Sequence, residues 1–272
     1  QQGIDHVGAG ENLEEARKIL FRKVNGVRIG ILAMAEHEFG IAEKTAAGGN
    51  PLDVINAIRN INTHRSEFDY LIVLLHGGNE FYPYPRPDLK DTCRFLVEQG
   101  ANAVICQQSH CAGCIETYRG APIVYGQGNF LFDYPSKATT WHEGVLVSFV
   151  VSADCGTQFE LIPYTQSDHQ TGTRRMPQKL KEKFLRDFNN RSKSVEDESF
   201  VLTQWEGFCK DTKRRHLHLL NHPPGLLRRL LGKLDLLHYL DSREKQRMRL
   251  HAMRCESLRE ALITLLSAEL RK

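Results

Sequence analysis

The chain has 272 residues, enough for one large domain or two smaller ones, and its 41% hydrophobic and 25% charged residues are typical of a globular protein. No run of about 18 apolar residues is present, so no membrane-spanning helix is predicted, and the first residues lack the basic and apolar regions of a signal peptide. The net charge of +3 combines an acidic front, with 13 Lys and Arg against 20 Asp and Glu in residues 1–170, and a basic back, with 23 against 13 in residues 171–272.

The first half of the chain alternates short apolar runs with amphipathic segments, a pattern that predicts an α/β fold. The first helix is predicted to begin at Asn12, because Asn12 is followed three residues later by Glu15, as in a capping box. In chain order we predict a helix at 12–19, a strand at 27–35, a helix at 53–65, a strand at 69–76, a helix at 88–100, and strands at 102–107, 122–130 and 145–152.

Beyond residue 165 the pattern changes to a linker followed by helices. We predict domains at 1–165 (α/β) and 179–272 (basic and helical), joined by a linker at 166–178, with helices at 179–190, 198–220, 224–240 and 243–271. The 224–240 helix has a leucine stripe that favours packing against neighbouring helices. Its alternative is to lie on an anionic membrane surface through Arg228, Arg229 and Lys233.

The seven cysteines are odd in number and mostly scattered, which favours a reducing compartment and hence a cytoplasmic location over a disulfide framework. Cys111 and Cys114 form a lone CxxC pair. A zinc site needs four ligands, and no second pair has suitable spacing. We therefore interpret these two cysteines as buried thiols, with a metal or redox role as the alternative.

Polar residues follow three of the predicted strands. His76 ends an apolar run and precedes Gly77, Gly78 and Glu80, so it is a candidate metal ligand or general base next to a carboxylate. The alternative for His76 is a hydrogen bond to a loop carbonyl.

Gln108 and His110 follow the next strand and stand two residues apart, so in an extended segment they point to the same side. An amide oxygen is a weaker ligand than imidazole for zinc, iron or manganese. Asn129 follows a Gly-Gln-Gly turn after the third strand, where it can ligate or orient a group, although a tight strand exit explains the pattern equally well. Because a sheet gathers successive strand ends, the three groups are expected to meet.

The stretches HGGNEFYPYPRP, QGANAVICQQSH and APIVYGQGNFLFD, in this order, resemble the bacterial capsule-synthesis CapA family, which is related to poly-γ-glutamate synthesis proteins. The resemblance covers roughly residues 3–165. It implies a layered metallophosphatase-like sandwich, here incomplete, followed by an α-helical C-terminal region. The part of the family that carries an early Asp strand and an Asn-Asn-His motif has no counterpart in this sequence.

Carried over by position, the resemblance implies that His76, His110 and Gln108 are metal ligands. It implies catalytic roles for His76, for the neighbouring Glu80 and for Asn129 at the rim. Gln108 replaces the first histidine of the family's His-x-His pair. The implied cofactor is one or more divalent metal ions. Histidine and carboxylate ligands suit several such ions, so the ligand types do not identify the metal.

Three functions remain open at this point. The first is a metal-dependent hydrolase of phosphate-ester or γ-glutamyl bonds in capsule or poly-γ-glutamate metabolism, active only if the missing N-terminal part of the family is supplied. The second is a non-catalytic member of the family that binds an anionic polymer or a phosphate ester, and the third is an accessory protein at a membrane surface. An anionic partner is a further expectation for the basic helical region, whereas no specific nucleic acid is expected.

Overall fold

The computed structural model describes residues 3–133, 136–152, 156–168, 170–218, 233 and 242–270. Strands and helices alternate through its first part, and helices follow. The strands are β1 (Ala9–Gly10), β2 (Leu20–Val24), β3 (Val27–Ala35), β4 (Gly48–Gly49), β5 (Tyr70–His76), β6 (Ala103–Gln107), β7 (Ile115–Tyr118), β8 (Ala121–Tyr125), β9 (Glu143–Ser152), β10 (Gly156–Gln166) and β11 (Thr173–Arg175). The α-helices are α1 (Leu13–Ala16), α2 (Val54–Thr63), α3 (Pro87–Glu98), α4 (Gln178–Ser194), α5 (Glu198–Asp211), α6 (Lys213–His218), α7 (Arg243–Arg254) and α8 (Glu256–Leu270).

Six strands form the main sheet in the order β2-β3-β5-β6-β8-β7. The four central strands are parallel, and β2 and β7 pair antiparallel at the two edges. The central strands are nearly continuous apolar runs, as expected for strands covered on both faces. Because they are parallel, their carboxyl ends lie at one edge of the sheet.

Helices α2 and α3 are the crossovers between the parallel strands β3, β5 and β6. Helix α2 begins after Asp53, whose carboxylate accepts a hydrogen bond from the backbone N–H of Asn56 at 3.1 Å. It buries Ala57 and Ile61, while α3 starts with Pro87 at its first position and buries Leu89 and Leu96. These side chains join the apolar residues of β3, β5 and β6 in one hydrophobic core.

A second, antiparallel sheet has the order β11-β10-β9 and is covered by helix α4. Phe184 and Phe188 of α4 pack in a hydrophobic cluster with Val145 and Met176. Arg191 of the same helix donates from Nε to the carbonyl of Gly113 at 2.8 Å. Helix α4 is therefore part of the α/β region.

The structure divides into two compact units, and each has its own buried residues. The first contains residues 1–36 and 40–204, and the second contains residues 37–39 and 205–272. In the second unit, the Trp205 indole N–H donates to the hydroxyl of Thr264 at 2.9 Å. Among the described helices, none has the length and apolarity needed to cross a lipid bilayer.

The predicted α/β class followed by a helical region is confirmed, and each predicted strand is present. Asn12 caps α1 as predicted, but α1 ends at Ala16 rather than at residue 19. The strand predicted at 122–130 ends at Tyr125, because Gly126 adopts a φ of +128° and turns the chain.

The predicted boundaries differ from the structure at the linker. Within 166–178, residues Thr173–Arg175 form β11, which pairs with β10 through backbone hydrogen bonds that no side-chain pattern announces. The helical region predicted from residue 179 includes α4, whose apolar face is buried in the first unit. The division therefore falls after Gln204.

Two long helices of the prediction are interrupted. The helix predicted at 198–220 is divided into α5 and α6, and the helix predicted at 243–271 is divided at Cys255, which has an extended backbone with ψ of 119°. The helix predicted at 224–240, with its leucine stripe, lies outside the described residues apart from Lys233.

Candidate functional site

The polar groups at the carboxyl ends of β3, β5 and β6 are placed side by side by the register of the main sheet. Ala35 pairs with His76, and His76 pairs with Gln107. The residues that follow these strand ends are Glu36 after β3, the turn from Gly77 after β5, and Gln108 after β6. The backbone N–H of Gly77 donates to the carbonyl of Gln107 at 2.7 Å, which holds two of these turns together.

His76 lies next to three polar side chains from the neighbouring turns. Partial burial lowers the pKa of its imidazole, and the nearby His110 ring acts in the same direction. The Glu36 carboxylate and a hydrogen bond with the Gln108 side chain act in the opposite direction on this pKa. His76 and the residues that follow β6 therefore lie at the same edge of the main sheet, where His76 shares a hydrogen bond with the Gln108 side chain.

His110 is held in one orientation by Asn129. The Asn129 amide nitrogen donates to the carbonyls of Trp141 at 3.1 Å and His110 at 3.4 Å, so its oxygen faces His110 Nδ1, at 2.8 Å. An amide oxygen can only accept, so Nδ1 is the donor in this contact, and in the neutral form of the ring the lone pair is on Nε2. This is the arrangement that commonly orients a metal-binding or proton-accepting imidazole.

Aromatic rings pack around the His110 imidazole. Phe132 and Trp141 stack with it at centroid distances of 5.7 and 5.3 Å, and Phe81 lies 6.3 Å away. The fully buried Gln166 of β10 accepts a hydrogen bond from the Phe132 N–H and donates to the Trp141 carbonyl. Gln166 thus links Phe132 and Trp141 to the second sheet by hydrogen bonds.

The turns at the site have strained backbones. Gln108, His110 and Phe81 have φ values of +144°, +53° and +62°, in a region that residues with a side chain rarely adopt. The Phe81 N–H donates to the carbonyl of Ser109 at 2.7 Å, which joins two of these turns. Strain of this kind concentrates at functional sites, where surrounding contacts maintain it.

Glu36 is a site residue that the sequence reasoning missed. Its side chain is fully buried, and its Oε1 lies 2.7 Å from a guanidinium nitrogen of the buried Arg86 and accepts a hydrogen bond from the Gly78 N–H at 3.1 Å. Oε2 has no hydrogen-bond partner within the described part of the chain. An acidic residue directly after a buried apolar strand was the signal available in the sequence.

The two remaining predicted groups are placed differently from each other. Asn129 contacts His110 directly, so its position at the rim supports an orienting role. Glu80 lies half-buried in the turn after β5, whereas the carboxylate that acts on the pKa of His76 is that of Glu36.

Several described side chains at this edge of the sheet are of the types that bind divalent metal ions. Two imidazoles and a buried carboxylate are suitable donors for a divalent cation, and an unpartnered buried oxygen such as Glu36 Oε2 favours a nearby positive charge. Within the described residues of the first unit, however, no three His, Cys, Asp or Glu ligand atoms lie within 4.8 Å of one another. The described residues therefore fit a partial set of metal ligands and not a complete one.

The CxxC cysteines are buried. Cys111 and Cys114 are both free thiols, and burial raises the pKa of Cys111 to about 11. Burial also raises the pKa of Cys114. Thiols with raised pKa values are poor nucleophiles and poor ligands at neutral pH, which agrees with the interpretation as structural residues.

Comparisons with known proteins relate this site to one family. Residues 1–134, which include His76, His110 and Asn129, match the family described as "Bacterial capsule synthesis protein PGA_cap". The PGA biosynthesis protein CapA of Bacillus subtilis is 31% identical over 60% of this chain. Residues 1–134, just under half of the chain, therefore match the CapA family of capsule synthesis proteins.

The chain spans less than half the length of the CapA relatives that it matches. The matched segment is 43% of the Bacillus subtilis protein, and the match to the capsule biosynthesis protein CapA of Bacillus anthracis, 29% identical over 48% of this chain, is 33% of that protein. Among solved structures, a Staphylococcus aureus protein assigned as a 5′-nucleotidase has a TM-score of 0.41 and 10% identity, covering 66% of this chain and 36% of that chain.

Proposed function

We propose that this CapA-family chain contributes part of the active site of a metal-dependent hydrolase in capsule or poly-γ-glutamate metabolism. The substrate would be a phosphate ester or a γ-glutamyl amide. The observation that supports the proposal is that His76 ends β5 and His110 follows the adjacent parallel strand β6, with Asn129 accepting a hydrogen bond from Nδ1 of His110. Sites at this edge of a parallel sheet commonly bind ligands.

Each residue of the site would have a distinct role. His76 and His110 would hold the cation, and Gln108 would orient His76 through their hydrogen bond. A bound divalent cation supplies a Lewis acid and lowers the pKa of a bound water. Asn129 keeps the His110 ring in place, while the Glu36–Arg86 pair holds the turn at Gly78.

A catalytic metal site usually has at least three protein ligands. The proposal therefore requires ligands beyond the two imidazoles. Among the described residues, Glu36 is a candidate for a further ligand, because its carboxylate is near enough to His76 to raise the pKa of the imidazole. The CapA relatives are also more than twice as long as the segment matched here. For these reasons, metal affinity of this chain is a more direct test than its turnover.

The test is Mn²⁺ and Zn²⁺ binding to the purified chain by calorimetry, with His76→Ala and His110→Ala as site variants. The control is His6→Ala, since His6 is an exposed histidine outside the site. Loss of one imidazole ligand should weaken binding about tenfold or more, the scale of even outer contacts to a metal, and His6→Ala should not change it. Hydrolysis of a phosphodiester and of a γ-glutamyl anilide is measured in parallel. Unchanged metal affinity in both site variants would reject the proposal.

A further inference from the structure

Strand β9 is the outer strand of the second sheet, and one of its two edges is largely free. Its pairing with β10 is regular from Glu143 to Ser152, without a bulge. At the start of the strand the other edge is occupied by Gln127. The Val145 N–H donates to the Gln127 carbonyl at 2.8 Å, and the Val145 carbonyl accepts from the Gln127 side chain at 3.2 Å. Beyond Val145, no described residue pairs with this edge.

The contacts of Val145 show which backbone groups face the free edge. In an antiparallel strand the N–H and the carbonyl of one residue point to the same side, and successive residues alternate between the two sides. Val147, Phe149 and Val151 therefore face outward, as Val145 does, whereas the residues between them pair with β10. Among the described residues, none forms a hydrogen bond with the backbone groups of these three. At about 3.4 Å per residue, the free segment 146–152 is about 24 Å long.

The other outer strands of the two larger sheets are short or carry charged side chains. Strand β2 contains Arg22 and Lys23, the four residues of β7 include Glu116, and β11 is only Thr173–Arg175 with its two arginines. Short length and charge keep a sheet edge from pairing with another chain. Residues 144–152, GVLVSFVVS, contain neither a charged residue nor a proline. The edge of β9 is therefore long and lacks these protections.

Apolar side chains of β9 are exposed along the same stretch. Val150 is 61% exposed and Leu146 is 41% exposed on one face of the sheet, and Phe149 is half-buried on the other. A strand added at this edge would cover part of these side chains and would also pair the outward backbone groups. Removal of apolar area from water would then add to the hydrogen bonds of the strand pair.

We propose that β9 pairs with β9 of a second copy of this chain, antiparallel across a two-fold axis, so that two three-stranded sheets join into one. In the register centred on Phe149, this residue lies opposite Phe149 of the second copy, and Val147 lies opposite Val151 of the second copy. Each of the three residues with outward backbone groups then donates one hydrogen bond and accepts one across the pair. A two-fold contact of this kind is closed, so the assembly ends at the dimer.

The residues of the edge favour a second copy over a partner with a charged strand. Because 144–152 is uncharged, two copies meet without like-charge repulsion. The same lack of charge offers a charged strand no complementary group. The sequence around Phe149 is also self-complementary, with a valine two residues away on each side, and directly opposite aromatic side chains are a favourable cross-strand pair. The proposal concerns assembly and does not depend on the hydrolase proposal.

The experiment is sedimentation equilibrium of the purified chain from about 1 to about 200 µM, a range that detects association of moderate strength. Val150→Lys brings the lysines of two copies to diagonal positions of the strand pair, where like charges oppose pairing. Val147→Pro removes an outward N–H, so a single chain keeps its hydrogen bonds to β10. The control is Val24→Lys, at a 51% exposed valine of the outer strand β2. Circular dichroism checks that each variant is folded.

We expect a monomer–dimer equilibrium for the unmodified chain and association weakened about tenfold or more in both β9 variants, because main-chain hydrogen bonds supply much of the affinity of paired edges. Val24→Lys should associate within about twofold of the unmodified chain, as expected for a surface change outside the contact. If Val147→Pro does not fold, Val150→Lys decides the outcome.

Hydrogen exchange tests the register in the same samples. The amides of Val147, Phe149 and Val151 should exchange more slowly at high protein concentration than at low concentration. A monomer at every concentration would overturn the proposal and would leave the edge available to a strand of another protein. Association that Val150→Lys does not weaken, or that Val24→Lys weakens equally, would also overturn it, because the contact would then lie elsewhere or be non-specific.

Discussion

At the scale of single residues, Gly77 follows His76 and packs against the buried Glu36 carboxylate. A Cβ atom at residue 77 would lie 2.6 Å from Glu36 Oε1, closer than real contacts allow. Glu36 has little room to move away, because it is fully buried and held by Arg86 and the Gly78 N–H. The nearby carboxylate, and not a positive φ, therefore requires glycine at residue 77.

Gly77→Ala should lower the free energy of unfolding by about 1–3 kcal/mol, the usual cost of overpacking a filled site. Urea denaturation measures the change. Gly49→Ala is the control, because a Cβ at residue 49 would find its nearest neighbour at an ordinary 3.8 Å, and it should remain within about 0.5 kcal/mol. A tolerated Gly77→Ala would mean that Glu36 can leave its position at the site.

The sequence predicted the site residues that depend on strand order and missed those that depend on distant contacts. His76, Gln108 and His110 could be placed together because parallel strands end at a common edge. Glu36 also follows a strand, but its burial depends on Arg86, 50 positions away in the chain. Gln166 is the clearest case, since only the path of β10 brings its amide to the loop around His110.

At the scale of elements, a charged network fixes the start of α5 and the end of α4 to helix α3. Lys90 is almost fully buried, and its ammonium donates to the Val195 carbonyl at 2.6 Å and to Glu198 at 2.8 Å. Arg94 donates to the buried Glu116 at 2.7 Å and to Glu198 at 2.7 Å. Four charges from α3, β7 and α5 thus compensate one another, with Lys90 and Glu116 buried and Glu198 at the solvent-exposed end of the network.

Lys90→Met should destabilise the chain by about 3–5 kcal/mol, because it leaves the Val195 carbonyl and part of the Glu116 charge without a partner. The free energy of unfolding from chemical denaturation is the measurement. Lys183→Met is the matched control. It removes a lysine from an exposed pair with Asp187 on α4 and should leave stability unchanged. Similar losses in both variants would contradict a special role for the buried network.

Element predictions succeeded where apolar periodicity is strong. The strands at β3, β5 and β6 and the helices α2 and α3 were recognised from their side chains because burial decides them. Strand β11 was missed, since its three residues, Thr173–Arg175, are ordered by pairing with β10 rather than by their own pattern. The break at Cys255 was missed for a different reason: neither neighbour is a glycine or a proline, the residues that usually signal the end of a helix.

At the scale of the whole molecule, the two compact units differ in how much core each contains. The first has the six-stranded sheet with its hydrophobic core and a second sheet. In the described part of the second unit there are helices and a stretch of three residues from the front of the chain, 37–39. Because smaller units bury a smaller fraction of their surface, the second should be the less stable.

The chain contains two tryptophans, and the units have one each. Trp141 is 6% exposed in the first unit, and Trp205 is 2% exposed in the second. In single-tryptophan variants made by Trp205→Phe and Trp141→Phe, each remaining indole therefore reports on one unit. We expect the fluorescence of Trp205 to change at a lower urea concentration than that of Trp141, because sub-global units open at different free energies. Superimposable curves from the two variants would instead show a single cooperative transition, and the division after Gln204 would then have no thermodynamic counterpart.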